Sequence, residues 1–587
     1  MTKRQYYFLI SLTALLTAAG WSTGLLGKSE RDFYAAVGRN LKIFGQVYKQ
    51  TANHYVEEID PKKFMRAGIN GMLDELDPYS VFLEEEAQDD IEIMTRGKYY
   101  GVGMRISLRN GWPTVAEQPF PNSPAEKAGI REGDVIIEID GQSTKPLTLS
   151  KTAAKLRGQE KGSAVTIKIR RIGVDEPMIF TLIRDEIEVS DIQYQGFVEP
   201  GVGLIKLNVF NRGADRQLAE AVQALQAGGM ESLILDLRGN PGGLLDMAVL
   251  VAGIFVPRGE LVVYTQGRTP NSNKEYRTAG NGAFTDLPLV VLVDKYSASA
   301  SEIVAGALQD LDRGVIVGEP TFGKGLVQTV LPIDRSAEGE VSLKLTTAKY
   351  YLPSGRLIQK RDVFKHGRNS VFTAEDENDE AIDEEEAAPD SVAEGPKPGE
   401  PDQNYATRNG RPVSGGGGVR PDVVAQNPNT TRYVSELLRQ SIFFNFSLEY
   451  AAKHPELKQK IEITDELLQE FFKFVEAKKF DYEPAGMRQL KDLEKITKEE
   501  GSYADLSPAL KQLRDQYQVV KQKERDKSMA DIKFLLKREL AAKLQGADAA
   551  YVVGFERDQT LKQAVEIIKD RSRYQSILTA ATGQAKM

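Results

Sequence analysis

The spacing of apolar residues changes three times along this chain, and each change marks a different kind of structure. Between Glu30 and about Gly97, Phe33, Val37, Leu41, Phe44 and Tyr48 recur at intervals of three and four, which puts them on one face of a helix. Asp77-Pro78-Tyr79-Ser80 interrupts that pattern, so a small helical domain is expected over residues 28–96. Shorter runs follow: Tyr99 to Ile106, Ser123 to Ile130, and Gly133 to Gly141. They predict short strands, one helical turn and a hairpin closed at Asp140-Gly141. From about Glu186 to Leu352, β-rich runs (Val202–Phe210, Leu233–Leu237, Leu287–Val293, Val315–Val317, Leu326–Ile333) alternate with helical ones (Arg216–Gln226, Ser301–Leu311), which implies an α/β core. From Thr430 onward the pattern is helical and lysine-rich, with apolar groups such as Leu467, Leu468, Phe471 and Phe472.

Composition sharpens this picture at both its breaks and its ends. A chain of 587 residues should hold several domains at about 150 residues each. Glu375 to Glu386 carries nine acidic side chains and no basic one, so it accounts for the whole formal charge of -8. A general affinity for nucleic acid is not implied. That acidic run opens a stretch, 362–411, that turns rich in Pro, Gly and Asn. It is expected to be disordered, because it offers too little apolar area to offset chain entropy. A Gly415-Gly416-Gly417-Gly418 turn then returns the chain to the core over 412–429. At the N-terminus, Lys3 and Arg4 precede an apolar run from Tyr6 to about Ala19, which reads as an export signal over 1–27. Cleavage after Thr17-Ala18-Ala19 and retention as an inner-membrane anchor both stay open, since Trp21 to Gly27 prolongs the run. An exported protein, in the bacterial periplasm or anchored at its inner membrane, is the expectation.

The candidate chemistry lies in Ser297-Ala298-Ser299-Ala300-Ser301-Glu302, which falls between a buried-strand run and a helical one. Such a junction exposes a side chain beside a helix N-terminus, whose positive end favours developing negative charge. The same residues also spell a capping box, with serine at N-cap and glutamate at N3. On local grounds Ser297, Ser299 and Ser301 are rival nucleophiles. A hydroxyl needs a proton acceptor. With zero cysteines, and with only His54, His366 and His454 in polar surroundings far along the chain, a lysine is the remaining base. Lys324 stands 25 positions after Ser299 within Gly323-Lys324-Gly325, and Gln328 follows four later on the same face of a strand. A free lysine titrates near about 10.4, so it must be desolvated to act at neutral pH. Gly318 to Gly325 falls one residue short of a phosphate-binding loop: glycine stands where the hydroxyl belongs, and a strand follows instead of a helix. Arg238-Gly239-Asn240-Pro241-Gly242-Gly243, after a buried strand, can aim backbone N–H groups at an oxyanion. Gly20-Trp21-Ser22-Thr23-Gly24 matches a nucleophile-elbow string, but it lies in the export segment with no buried strand before it.

Two resemblances follow from these motifs. Residues 97–185 resemble a PDZ domain, which implies that the Gly101-Val102-Gly103-Met104 loop offers N–H groups to a terminal carboxylate while the adjoining strand pairs with the peptide. Together with Asp236 to Gly243, Ser297 to Glu302 and Gly318 to Gln328, the chain resembles the C-terminal processing, or tail-specific, serine peptidases. That resemblance implies a multidomain α/β protein with a crotonase-like catalytic core (186–361), an inserted PDZ domain, an N-terminal helical domain and a C-terminal helical region (430–587). It selects Ser299 as nucleophile, Lys324 as base, Gln328 as its orienting partner, and the backbones of Gly243 and Ala300 as oxyanion donors. No metal or cofactor is implied. The expected partners are polypeptides with exposed, unstructured C-termini, with the membrane met only through the N-terminal segment. The acidic insertion and the helical tail depart from the resemblance, and binding an adaptor or building a homo-oligomer are the roles left open for them. The rival class is a PDZ scaffold without enzymatic activity, which would need none of the Ser299, Lys324 and Gln328 spacing.

Overall fold

The structure is a computed structural model describing residues 32–83, 93, 95, 97–158, 160–280, 282–336, 339–360 and 405–579. The expected export segment and residues 362–404 of the expected insertion lie outside the described residues. No helix among the described residues is long and apolar enough to cross a membrane. The chain forms two units, Met1–Phe82 and Leu83–Met587.

In the first unit a helix over 32–54 is followed by Pro61–Asp74. Asp60 starts the second helix by accepting the Lys62 and Lys63 N–H groups, with proline at its first position where no N–H is missed. The helices meet through Tyr48, which packs on Phe64 and donates its hydroxyl to the Pro61 carbonyl at 2.8 Å. The helical pattern stops at Asp77, whose carboxylate takes the Tyr79 and Ser80 N–H groups instead. Within this unit much of the apolar stripe, including Phe33, Val37 and Leu41, stays exposed.

The second unit contains the segment resembling a PDZ domain, the α/β core and the helical tail. The chain enters and leaves the first of these through an antiparallel pair, Lys98–Gly101 with Asp185–Glu188. Its sheet runs in the order Ile106–Arg109, Trp112–Val115, Val135–Ile139, Ala164–Arg170, Met178–Ile183. The hairpin turns at Asp140-Gly141, both with positive φ, as a two-residue turn of matching twist requires. Ile106–Arg109 is an edge strand, and Leu149–Leu156, capped by Thr148, packs beside it.

The core sheet has six strands in the order Ile192–Glu199, Val202–Leu207, Ser232–Asp236, Leu289–Val293, Val315–Gly318, Val423–Val424, all parallel after the first. Its central strands are buried on both faces, which is why they read as unbroken apolar runs. Leu235, Val291 and Val293 point toward Ala214–Ala227, Leu245–Phe255 and Ala300–Asp310 on one face. Ile234, Val290 and Leu292 point to the other, where Leu561, Ile567, Ile568 and Tyr574 of the chain's last helices cover them. Leu245–Phe255 is apolar except for Asp246 in its first turn and therefore carries no stripe for a sequence reading to find.

Two boundaries differ from expectation. Tyr405–Arg411, expected within the disordered insertion, belongs to the core: Tyr405–Ala406 pairs with Pro412–Val413, and buried Arg411 bridges Asp312 and Asp422 at 2.6 Å each. Its composition is polar because those ion pairs, not apolar packing, hold it. The tail, expected as one helical region, divides. Arg432–Arg439 through Met529–Gln545 enclose a core of their own around Phe443, Phe471 and Leu536, whereas Gln559–Lys569 and Arg571–Leu578 form the sheet's second covering layer.

Candidate active site

Three loops follow three neighbouring parallel strands, so all three emerge at the same edge of the sheet, where open α/β sheets gather their functional groups. The Arg238–Gly243 loop follows Ser232–Asp236, the serine turn follows Leu289–Val293, and the lysine loop follows Val315–Gly318.

Within the serine turn the three hydroxyls differ. Ser297 is fully buried and donates to the Leu237 carbonyl at 2.9 Å. Ser301 is fully buried and donates to the Asn240 carbonyl at 2.9 Å. Ser299 is partly exposed, at the N-cap of Ala300–Asp310, with φ 54° and ψ −111°. That conformation costs a non-glycine residue about 1–3 kcal/mol and needs surrounding bonds to hold it. Two of the rival serines are thus engaged with backbone carbonyls, and Ser299 alone of the three faces outward.

The Glu302 carboxylate supplies much of that holding. Oε2 accepts the Ser299 N–H at 2.8 Å and the Lys324 N–H at 2.9 Å, while Oε1 accepts the Thr321 hydroxyl at 2.6 Å and the Gly323 N–H at 2.7 Å. Burial pushes the carboxyl up to about 7, against the four donors that favour its ionised form. The capping box was legible in the sequence, but the sequence offers no sign that the capping glutamate also binds a loop about twenty residues away.

Lys324 is half-buried, and its Nζ lies 3.2 Å from Gln328 Oε1. Gln328 sits on Leu326–Ser336 just after a register shift against the neighbouring strand. The flanks of the lysine loop are pinned by residues that no motif singled out. Gln359 Oε1 accepts the Gly325 N–H at 2.8 Å, the Lys360 N–H donates to the Gly323 carbonyl at 3.0 Å, and Thr321 exchanges bonds with Val419. Of the histidines, His54 is exposed on the first unit, His454 stacks on Tyr450 and meets Glu456 at 3.0 Å, and His366 lies outside the described residues.

The glycine loop lies against the serine turn. A Cβ on Gly242 would sit 2.7 Å from the Ala298 carbonyl oxygen and 2.9 Å from both Ala300 N and Ser299 Cβ, so only glycine allows this approach. Gly243, at φ 147°, bridges Phe210 through its neighbours: Phe210 N–H donates to Gly242 O and Leu244 N–H to Phe210 O. Among the described residues, no acceptor takes the N–H of Gly243 or of Ala300. Asn240 ties the loop down, with its amide on the Leu207 carbonyl and its own carbonyl accepting Ser301 Oγ and the Ala298 N–H. Arg238 is held between Asp236 at 2.6 Å and Asp558 of the tail at 2.8 Å. Burial would raise the Asp236 carboxyl, but Arg238 and Lys206 overcome it and hold it at about 2.

At the other candidate site, Gly101, Val102, Gly103 and Met104 are all buried. Val102 and Met104 line a cavity of about 420 Å³ with Ile106, Phe120, Leu149 and Leu156, between the edge strand and its helix. Gly103 has φ +75°, and a Cβ there would meet Ser123 Cβ at 2.3 Å. The carbonyls of Val102 and Gly103 accept the Ala125 and Phe120 N–H groups, while among the described residues the Gly103 and Met104 N–H groups have no acceptor. Among the described residues no cluster of His, Asp and Glu suits a metal ion.

Known proteins match the chain segment by segment. Residues 201–366 match peptidase family S41, 115–171 a PDZ domain, 20–87 the activating protease CtpB N-terminal domain, and 433–568 the C-terminal helical domain of probable PDZ-proteases. A carboxy-terminal-processing protease of Bartonella bacilliformis is 35% identical over 61% of this chain and 81% of its own length. Carboxy-terminal processing protease CtpA of Bacillus subtilis is 31% identical over 62% of this chain and 76% of its own. The carboxyl-terminal-processing protease of Synechocystis is 40% identical over 50% and 68%. With an S41 core, a PDZ domain and helical domains on either side of them in sequence, the chain belongs to the carboxy-terminal-processing serine proteases of peptidase family S41.

Proposed function

We propose that this protease is an exported endopeptidase working through Ser299 and Lys324 on polypeptides held by their C-terminal tails. Ser299 Oγ attacks the scissile carbonyl as the Lys324 amine takes its proton. The Gly243 and Ala300 N–H groups receive the oxyanion, and the protonated lysine returns its proton to the leaving amine. Water then hydrolyses the acyl-enzyme by the same route. Gln328 orients the amine. The observation that carries this reading is the single Glu302 oxygen shared by the Ser299 and Lys324 N–H groups, which keeps a lone outward serine and a half-buried lysine in register.

Substrate tails enter the PDZ cavity by adding a strand to Ile106–Arg109, with the terminal carboxylate on the N–H groups of the Gly101–Met104 loop and an apolar last side chain among Val102, Phe120 and Leu156. Export rests on the charged, then apolar, N-terminal residues, which also provide the membrane contact if retained. The acidic insertion and the outer tail helices are open to an adaptor or a second copy of the chain. The test is digestion of a loosely folded substrate ending in an apolar tail, followed by mass spectrometry of the fragments. Ser299→Ala and Lys324→Arg should both abolish cleavage, the latter because guanidinium stays charged, while the tail peptide still binds. Undiminished cleavage by either variant refutes the dyad.

A further inference from the structure

Ser299 and Lys324 sit on separate loops, and a dyad of this kind works only at a fixed separation of the two backbones. Glu302 fixes the donor side, since it takes both N–H groups. The acceptor side is fixed by a different residue. The Tyr350 hydroxyl lies 3.2 Å from the Ser299 carbonyl oxygen and 2.5 Å from the Lys324 carbonyl oxygen. The phenolic O–H therefore reaches the carbonyls of both the proposed nucleophile and the proposed base, the former also accepting the Ile303 N–H at 2.9 Å. Tyr350 is almost fully buried in the core formed by Ala300, Ile303 and Val304, and its own N–H donates to the Gly325 carbonyl at 3.0 Å. It comes from the long strand Gly339–Tyr351, which pairs with the strand that continues the lysine loop and is remote in sequence from the serine turn.

We infer that Tyr350 is a positioning residue of the active site: its hydroxyl, opposite Glu302, staples the backbones of Ser299 and Lys324 and so sets the distance from Oγ to Nζ. This inference rests on the proposed dyad. Glu302, from the helix that Ser299 begins, thus bonds both N–H groups, and Tyr350, from a strand remote in sequence, reaches both carbonyls, so the two loops are tied to each other on both counts. The residue touches neither substrate nor the transferred proton. It acts through geometry, where an error near 1 Å costs on the order of 100-fold in rate.

Tyr350→Phe in the full chain removes only the hydroxyl and keeps the ring that fills the core. The expected result is a fall in kcat of roughly 10- to 100-fold with KM unchanged, matched by an equal fall in the rate at which a fluorophosphonate phosphonylates Ser299 with loss of fluoride. The thermal midpoint should stay near that of the parent. Tyr351→Phe, whose ring stacks on Tyr264, serves as the control and should match the parent in all three. A kcat and labelling rate within twofold of the parent for Tyr350→Phe would overturn the inference, as would a loss that merely tracks a lowered thermal midpoint. Ser299→Ala and Lys324→Ala run alongside: activity surviving there sinks the dyad itself, whereas their inactivity beside a normal Tyr350→Phe sinks only the role of the tyrosine.

Discussion

The helical tail meets the rest of its unit at two surfaces of opposite character. Against the catalytic sheet it presents Leu561, Ile567, Ile568 and Tyr574, all buried, with the Tyr574 hydroxyl bonded to the backbone of Leu289. Against the PDZ domain it presents Phe444, whose ring meets two cations, Arg109 at 3.6 Å and Lys543 at 4.3 Å from the ring centre. Lys543 also bonds Glu132 at 2.6 Å, and Arg109 donates to Ser441 at 3.0 Å. Burial raises the Glu132 carboxyl, opposed chiefly by the Lys543 charge, and lowers the Arg109 guanidinium, opposed by Glu539 and Glu132. The first surface is apolar apart from the Arg238–Asp558 joint, so exposing it to water is costly. The second returns several desolvated charges to water on opening, so its parting is a much smaller step. An apolar cover of the catalytic sheet and a charged contact with the PDZ domain are thus built from one run of helices.

The largest expected effect tests the first surface. Ile567→Ala should cost about 2–5 kcal/mol of global stability by the cavity it leaves, read from urea denaturation with an unchanged slope. A loss under about 1 kcal/mol would mean that the last helices are an ornament on the sheet. The second surface should respond differently. Lys543→Met leaves Glu132 buried without its partner, which is relieved by undocking and not by unfolding. Hydrogen exchange should accelerate around Arg109 and Gly133 by several-fold while the urea midpoint of the core holds. Pairing it with Glu132→Leu should restore protection, since an apolar pair of similar size often equals a buried ion pair.

A third test concerns the polar joint inside the apolar surface. Asp236 has its pKa lowered on folding to about 2 from an ordinary 3.8, so the stability it lends is complete above 3.8 and is lost as pH falls toward 2. The amount is roughly 2 kcal/mol at about 1.4 kcal/mol per unit. Asp236→Asn should flatten acid unfolding in that window alone. The smallest effect is expected from Asp558→Asn. It keeps the cap that accepts the Leu561 N–H but loses the charge facing Arg238, for a cost at or below about 1 kcal/mol.

Much of this molecule was legible from local pattern. The strands Leu233–Leu237 and Leu287–Val293 were expected within two residues of where they lie, because strands buried on both faces must be apolar throughout. The Asp140-Gly141 hairpin and the Ser299 N-cap carry turn and cap chemistry that few other residues satisfy. Ser299, Lys324 and Gln328 were legible as residue types at a spacing, and the fold brings the last two within 3.2 Å. Other parts left no local trace. Tyr350 reads as one more strand aromatic, Gln359 as an ordinary polar residue before an acidic run, and Arg411 as part of a polar linker, since each acts on a segment distant along the chain.

The amino-acid order alone determined roughly where strands, helices and turns begin and offered three rival hydroxyls with one lysine and one glutamine as candidate chemistry, because period, capping and glycine tolerance act over a few neighbouring residues. Tertiary structure decided the rest: that Glu302 and Tyr350 clasp two loops from opposite sides, and that the final helices roof the catalytic sheet while earlier ones hold the PDZ domain. Those outcomes depend on parallel strands delivering remote loops to one edge, a juxtaposition in space that no window along the chain contains.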